Sequence, residues 1–189
     1  MSQIVLLNGP SSSGKSSICK AFQYSINQPF LTLGVDTFIS MMPQKYLSYG
    51  EKSQEGCYFI KSKNNYGVTV SCHSGTFGDL VFKTAIDIVE LMGDNGLNII
   101  IDEVIWSDER MYEYKNILIK HNVLFIKVFC ERYSAQEREL LRGDREIGLA
   151  NNQIDKIASM KFQYDLEINT DILSPFESAK IIIAKLNTC

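Results

Sequence analysis

The sequence predicts an α/β domain built on a parallel sheet. Short continuous apolar runs alternate along the chain with longer stretches whose apolar residues recur at helical spacing. The 189 residues contain no internal repeat, low-complexity tract or linker, so they read as one domain with enough chain to bury a sizeable core. Hydrophobic residues make up 45% and charged residues 22%, which are globular proportions and exclude a disordered chain.

The elements follow in order. Ile4–Leu7 is a short apolar run of the kind a strand covered on both faces requires. A helix is expected over Ser16–Ser25, a second strand over Leu31–Val35, and a short helix over Thr37–Lys45 that Pro43 breaks or bends. "CYFIK" and "YGVTVSC" flank "SKNN", so a small inserted hairpin is expected near 57–72. It is either one wall of a ligand pocket, since ligands bind at the carboxyl ends of parallel strands, or a plain surface hairpin. Asp79–Met92 has helical spacing and is closed by Gly93 and an Asp94–Asn95–Gly96 turn. Then come strand Asn98–Ile101, helix Glu109–Lys120, strand Val123–Phe129, a charged helical stretch Ala135–Arg145 and helix Asn152–Phe162. Strand Leu166–Ile168 and helix Pro175–Leu186 close the chain, with Ser174 and Glu177 at the spacing of a capping box.

Charge and cysteine content narrow the class. The net charge of −3 gives no basic face for a nucleic-acid partner. No apolar run approaches the ~20 residues that cross a bilayer, and the first residues lack the pattern of a signal peptide. Cys19, Cys57, Cys72, Cys130 and Cys189 are odd in number and include no C-x-x-C pair, so free thiols in a reducing cytoplasm are expected.

The chemistry is concentrated in "IVLLNGPSSSGKSS". Gly9–Ser16 fits G-x-x-x-x-G-K-[ST], with a strand before it and a helix after it. Glycines let successive N–H groups turn inward toward phosphate oxygens, and the helix start at Gly14–Ser17 adds partial positive charge. Gly9, Pro10, Ser11, Ser12, Ser13, Gly14, Lys15, Ser16 and Ser17 therefore form the expected cradle for a nucleoside triphosphate, most simply ATP. Lys15 supplies a full charge to the phosphates, and the Ser16 hydroxyl is a ligand for Mg²⁺.

Two acids end strands on the same edge. Asp102, after a run of isoleucines and before Glu103, has the setting of the acid that organises a Mg²⁺ shell; a strand-end carboxylate capping the next helix is the alternative. Asp36 is set either as the base that accepts a proton from an acceptor hydroxyl or as an N-cap for the following helix. "ERELLRGDREIG" carries Arg138, Arg142 and Arg145, which share one helical face if the helix continues through Gly143. They read as a lid that neutralises a transferring phosphoryl group, or as a solvated face held by Glu137, Glu139, Asp144 and Glu146.

The phosphate loop, "GVD" at 34–36, "MP" at 42–43, "IIIDEV" at 99–104, the R-G-D-R-x-x-G-x-A-x-x-Q pattern at 142–153 and "YDLEINT" at 164–170 together resemble the chloramphenicol phosphotransferase family of P-loop kinases. The resemblance spans nearly the whole chain. It implies a single domain over 1–189 with a five-stranded parallel sheet of shikimate-kinase type, order 2-3-1-4-5. It further implies an acceptor-binding insertion at about 44–78 and an arginine lid at about 134–152. It implies ATP- and Mg²⁺-dependent phosphorylation of a hydroxyl on a small molecule. In that reading Asp36 is the base, Lys15 and Ser16 serve the phosphates and the metal, and Arg138–Arg145 form the lid. The region Gln44–His73, rich in tyrosine and lysine, is where the chain departs from the antibiotic-modifying members. Two other readings keep the phosphate loop. A nucleotide or nucleoside kinase would use Lys45, Lys52, Lys61 and Lys63 on its acceptor, and a regulatory ATP-binding module would need no acceptor at all.

Overall fold

A computed structural model of the chain describes residues 1–143 and 146–188. Strands β1 (Gln3–Asn8), β2 (Phe30–Gly34), β6 (Asn98–Glu103), β7 (Asn122–Phe129) and β8 (Leu166–Asn169) form a five-stranded sheet in the order β2-β6-β1-β7-β8. All its pairings are parallel. Counted within this sheet alone the order reads 2-3-1-4-5. In whole-chain numbering it differs, because β3 (Leu47–Ser48), β4 (Cys57–Asn64) and β5 (Gly67–Ser74) form a second, three-stranded sheet between β2 and β6. The helices are α1 (Lys15–Ser25), α2 (Val35–Met41), α3 (Thr76–Asp94), α4 (Asp108–Ile117), α5 (Arg132–Arg142), α6 (Leu149–Ala158) and α7 (Pro175–Leu186).

Alternation along the central strands builds two cores. Val5 and Leu7 of β1 and Ile100 of β6 face α1 and α7, where Ile18, Phe22, Ala179 and Ile182 are buried. Ile4 and Leu6 of β1 and Ile99 and Ile101 of β6 face α3 and α4, where Ile86, Val89, Met111 and Tyr114 are buried. This is the period of two expected of a strand covered on both sides. It also fixes the direction of the residues that follow. Asp102 continues the α1 side, and Glu103 continues the α4 side.

Several expected boundaries shift. The hairpin turn is Asn65–Tyr66 rather than "SKNN", since Asn64 pairs with Gly67 and the Asn64 side chain accepts the Tyr66 N–H at 2.9 Å. The short helix expected over Thr37–Lys45 is two pieces, α2 and a single 3₁₀ turn at Gln44–Tyr46, with Met42 and Pro43 extended between them. The charged stretch expected over Ala135–Arg145 ends as a helix at Arg142, where Gly143 takes φ 68°. A left-handed residue ends a helix, so the helix that carries Arg138 and Arg142 does not continue through Gly143. The last helix has the bounds read from sequence, with its capping box formed by Ser174 and Glu177 and Pro175 at its start. No helix among the described residues is long and apolar enough to cross a membrane.

Candidate active site

The loop between β1 and α1 closes tightly on the sheet. A Cβ on Gly9 would lie 2.1 Å from the backbone oxygen of Val128, so only glycine fits this crossing. Gly14 takes φ 96° as it leads into α1, which turns the backbone of the first helical turn toward the loop's hollow. Within that hollow the Ser12 and Ser13 hydroxyls are buried without a hydrogen-bond partner among the described residues. Lys15 is buried, and its ammonium donates to the carbonyls of Gly9 at 2.9 Å and Pro10 at 3.0 Å. Glycine cradle, unpartnered hydroxyls and buried ammonium are what a phosphate chain would satisfy.

Asp102 meets this loop from β6. The Ser16 hydroxyl donates to Asp102 Oδ2 at 2.6 Å, and Lys15 Nζ lies 3.6 Å from Asp102 Oδ1. A hydroxyl and a carboxylate side by side fit a Mg²⁺ that keeps its waters and leans on substrate phosphates. No cluster of three His, Cys, Asp or Glu side chains forms a closed metal cage among the described residues. Asp102 does not cap the next helix, because that N-cap is Ser107, whose hydroxyl accepts the Arg110 N–H.

Glu103 points the other way. Its carboxyl is buried and accepts the Tyr114 hydroxyl at 3.1 Å, on the opposite face of β6 from Asp102. Burial pushes its pKa up to about 7, against the lowering pull of the Tyr114 hydroxyl, the Val104 N–H and the Arg110 charge. Of the two neighbouring acids, then, Asp102 faces the phosphate loop.

The loop, Asp102 and Asp36 line one cleft of about 500 Å³. Asp36 lies in the first turn of α2, whose N-cap is Gly34, so Asp36 is not the cap. Val35, Ile39, Phe59, Phe82 and Trp106 supply apolar walls, and His73, Asp79, Lys83 and Arg110 supply polar ones. The hairpin sheet contributes Phe59, Cys72, His73 and Ser74 to this lining. Burial raises the Cys72 thiol to about 11, so it is an inert wall atom rather than a nucleophile. The Arg110 guanidinium is held by Glu113 at 2.7 Å and by the Phe82 carbonyl at 2.7 Å.

The arginines separate. Arg142 lines the cleft. Arg138 turns toward the β8–α7 connection, donating to Thr170 Oγ1 at 2.9 Å and Asp171 Oδ1 at 2.8 Å. It reaches the phosphate loop through Thr170, whose hydroxyl donates to the Ser13 carbonyl at 2.8 Å. Arg145 lies outside the described residues.

Three residues that hold the site together escaped the sequence reading. Asn8 ends β1 and pins the β6–α4 loop, accepting from Ile105 N at 2.7 Å and donating to Ile105 O at 2.9 Å. Nothing in sequence distinguishes this asparagine from a turn residue. Glu139 was grouped with a solvated face, yet it is 1% exposed and accepts the N–H groups of Gly148 at 2.7 Å and Ala150 at 2.9 Å. It thereby ties α5 to the start of α6 across the stretch that contains Arg145. Replacing Glu139 with alanine strands two buried donors and is expected to cost about 2 kcal/mol, read as a lower urea midpoint at unchanged slope. Gln153 is the third; its only sequence signal is its place at the end of the 142–153 pattern.

The chain is similar to known proteins over nearly its whole length. A family model described as "Chloramphenicol phosphotransferase-like protein" matches residues 2–187. The chain belongs to that family. A Mycobacterium tuberculosis protein named "Putative O-phosphotransferase" is 28% identical over 99% of this chain and 83% of its own length. Among solved structures, a sugar kinase from Janibacter sp. shares 14% identity at a TM-score of 0.64, covering 99% of this chain and 95% of its own. A gluconokinase from Sinorhizobium meliloti shares 14% identity at 0.61, covering 99% and 92%. The shikimate kinase of Acinetobacter baumannii, solved with shikimate, shares 12% at 0.58, covering 100% and 94%. At these identities the structures establish the fold, and the family establishes a P-loop phosphotransferase.

Proposed function

We propose that the protein transfers the terminal phosphoryl group of ATP to a hydroxyl of a small molecule. The observation that carries this reading is that the phosphate loop, Asp102 and Asp36 line a single cleft of about 500 Å³. A protein that only hydrolysed ATP would need no carboxylate and apolar chamber facing the loop. Asp36 would orient the acceptor hydroxyl and take its proton as that oxygen bonds to the terminal phosphorus. The bond from that phosphorus to the bridging oxygen breaks, and ADP leaves. Lys15 and Arg142 would balance the charge on the transferring group, with Arg138 holding the loop through Thr170 rather than meeting the group itself. Ser16 and Asp102 would hold Mg²⁺, which when bound neutralises phosphate charge.

The cleft's mixed walls favour an amphipathic alcohol with at least one apolar face. A phosphorylated acceptor would have to rely on Lys83 and on Arg110, which Glu113 already holds. Lys45, Lys52, Lys61 and Lys63 are not among the lining residues, and Lys61 is engaged with Glu146 at 3.0 Å. The test is ADP release from Mg²⁺–ATP with chloramphenicol and with a panel of sugars, nucleosides, aminoglycosides and aryl alcohols. Products are weighed for the gain of one phosphoryl group. An alcohol that speeds ADP release and gains that mass supports the proposal. Nucleotide binding without any alcohol-stimulated release across the panel would favour a regulatory module.

A further inference from the structure

We infer that Gln153 senses the terminal phosphate of the bound nucleotide, donating its amide N–H groups to that phosphate while its oxygen braces the loop. The inference rests on the nucleotide reading above and assigns a further residue to the same site. Gln153 is mounted on α6, and the Ser11 N–H donates to its Oε1 at 2.6 Å. A backbone N–H can be accepted only by the oxygen end of an amide, so the nitrogen end must be the other arm. That nitrogen has no protein acceptor among the described residues, and Gln153 lines the cleft. The two amide donors are therefore open to the cleft and available to a ligand. The cleft is lined by Ser11, Ser12, Lys15, Ser16 and Arg142, donors suited to anionic oxygen, and by the Asp36 and Asp102 carboxylates assigned above to the acceptor and the metal.

The position favours the terminal phosphate over the inner ones. The N–H groups at the start of α1, from Gly14 on, are the cradle for the inner phosphates. Ser11 is the third residue of the loop motif, on its far side from the helix. Gln153 braces that far side from the same cleft that Asp36 enters. A group in transit between the inner cradle and an acceptor at Asp36 must pass within the space these residues enclose. α6 is itself fixed. Glu139 holds its first N–H groups, and the Gly148 carbonyl and the Asn151 amide bind Val70 N at 2.9 Å and Val68 O at 3.0 Å on the hairpin. Gln153 is thus presented by a rigid post, as a donor to a developing phosphate charge requires.

Gln153→Glu separates sensing from bracing. The carboxylate still offers an oxygen to Ser11 N–H, but it replaces the donor arm with a negative charge. Binding is measured by calorimetry in Mg²⁺ for a non-hydrolysable ATP analogue and for ADP. In Gln153→Glu the analogue is expected to weaken at least about tenfold, with ADP changed less than about threefold. Gln153→Met, which removes the brace to Ser11 together with the donor arm, serves if the glutamate variant melts early, and is expected to weaken both nucleotides, the analogue the more. Equal loss of both nucleotides would make Gln153 a brace only, and no loss of either would overturn the inference outright. Failure of the wild-type protein to bind either nucleotide would instead overturn the phosphate-loop reading, and this inference with it.

Discussion

Asp36→Asn is expected to lower alcohol-dependent ADP release by about 10²–10⁴-fold, the usual worth of a positioned general base. The amide keeps the size of the carboxylate and one acceptor oxygen, so the acceptor can still be oriented. What it removes is the ability to take a proton when the attacking oxygen bonds to phosphorus. The loss should fall on kcat, because the interaction matters chiefly as the bond forms. Nucleotide affinity should hold within about threefold. The loop's cradle is built from Gly9–Ser16, Thr170 and Asp102, and Asp36 sits on a different element, α2. Steady-state release at saturating alcohol, beside a binding titration with ADP, checks both halves. Retention of more than a tenth of wild-type turnover would remove Asp36 from the role of base.

The stability of the protein is expected to fall as pH rises from 5 to 8, and Glu103→Gln should flatten that fall. Glu103 has its pKa raised from an ordinary 4.5 to about 7 by burial. The folded state therefore binds this proton more tightly than the unfolded chain does. Between those two values the unfolded chain gives up the proton while the folded one keeps it, so folding loses ground as pH climbs. The contribution is full below 4.5 and gone above about 7. It amounts to about 2–3 kcal/mol across pH 5 to 8. The groups that act on the carboxyl are the Tyr114 hydroxyl and the Val104 N–H by hydrogen bonding, and the Arg110 and Asp102 charges through space. Glutamine keeps the shape and an acceptor for Tyr114 and has no charge to bury. Urea unfolding of both proteins at pH 5, 6, 7 and 8 reads the difference. Parallel curves for the two would show that Glu103 is not the titrating group.

Much of the fold was legible because strands and helices leave local marks. Ile4–Leu7 could only be a strand buried on both faces, and the loop after it has a spacing that few other structures need. Ser174, Pro175 and Glu177 fixed the start of α7 because a capping box is a matter of neighbouring residues. The hairpin was visible by alternation, but its turn was misjudged by two residues. "SKNN" looks like a turn by composition, and only the pairing of Asn64 with Gly67 selects Asn65–Tyr66. The arginine helix ran too long in the sequence reading because Arg138, Arg142 and Arg145 have helical spacing, whereas Gly143 spends its freedom on ending the helix.

By itself the sequence determined the alternating fold, the phosphate loop with Lys15 and Ser16, and the presence of acids at strand ends on the loop's edge. Only the tertiary structure decided which way those acids point. Asp102 reaches Ser16 and Glu103 reaches Tyr114 because one step along a strand reverses the face, and the sheet's packing against α1 and α4 fixes which face is which. It also decided that Glu139 is a buried anchor and that Gln153 touches Ser11, contacts that join residues far apart in the chain. Local periodicity says that a residue lies on a face. It carries no information about the partner that face will meet, since that partner is brought there by chain closure over the whole sheet.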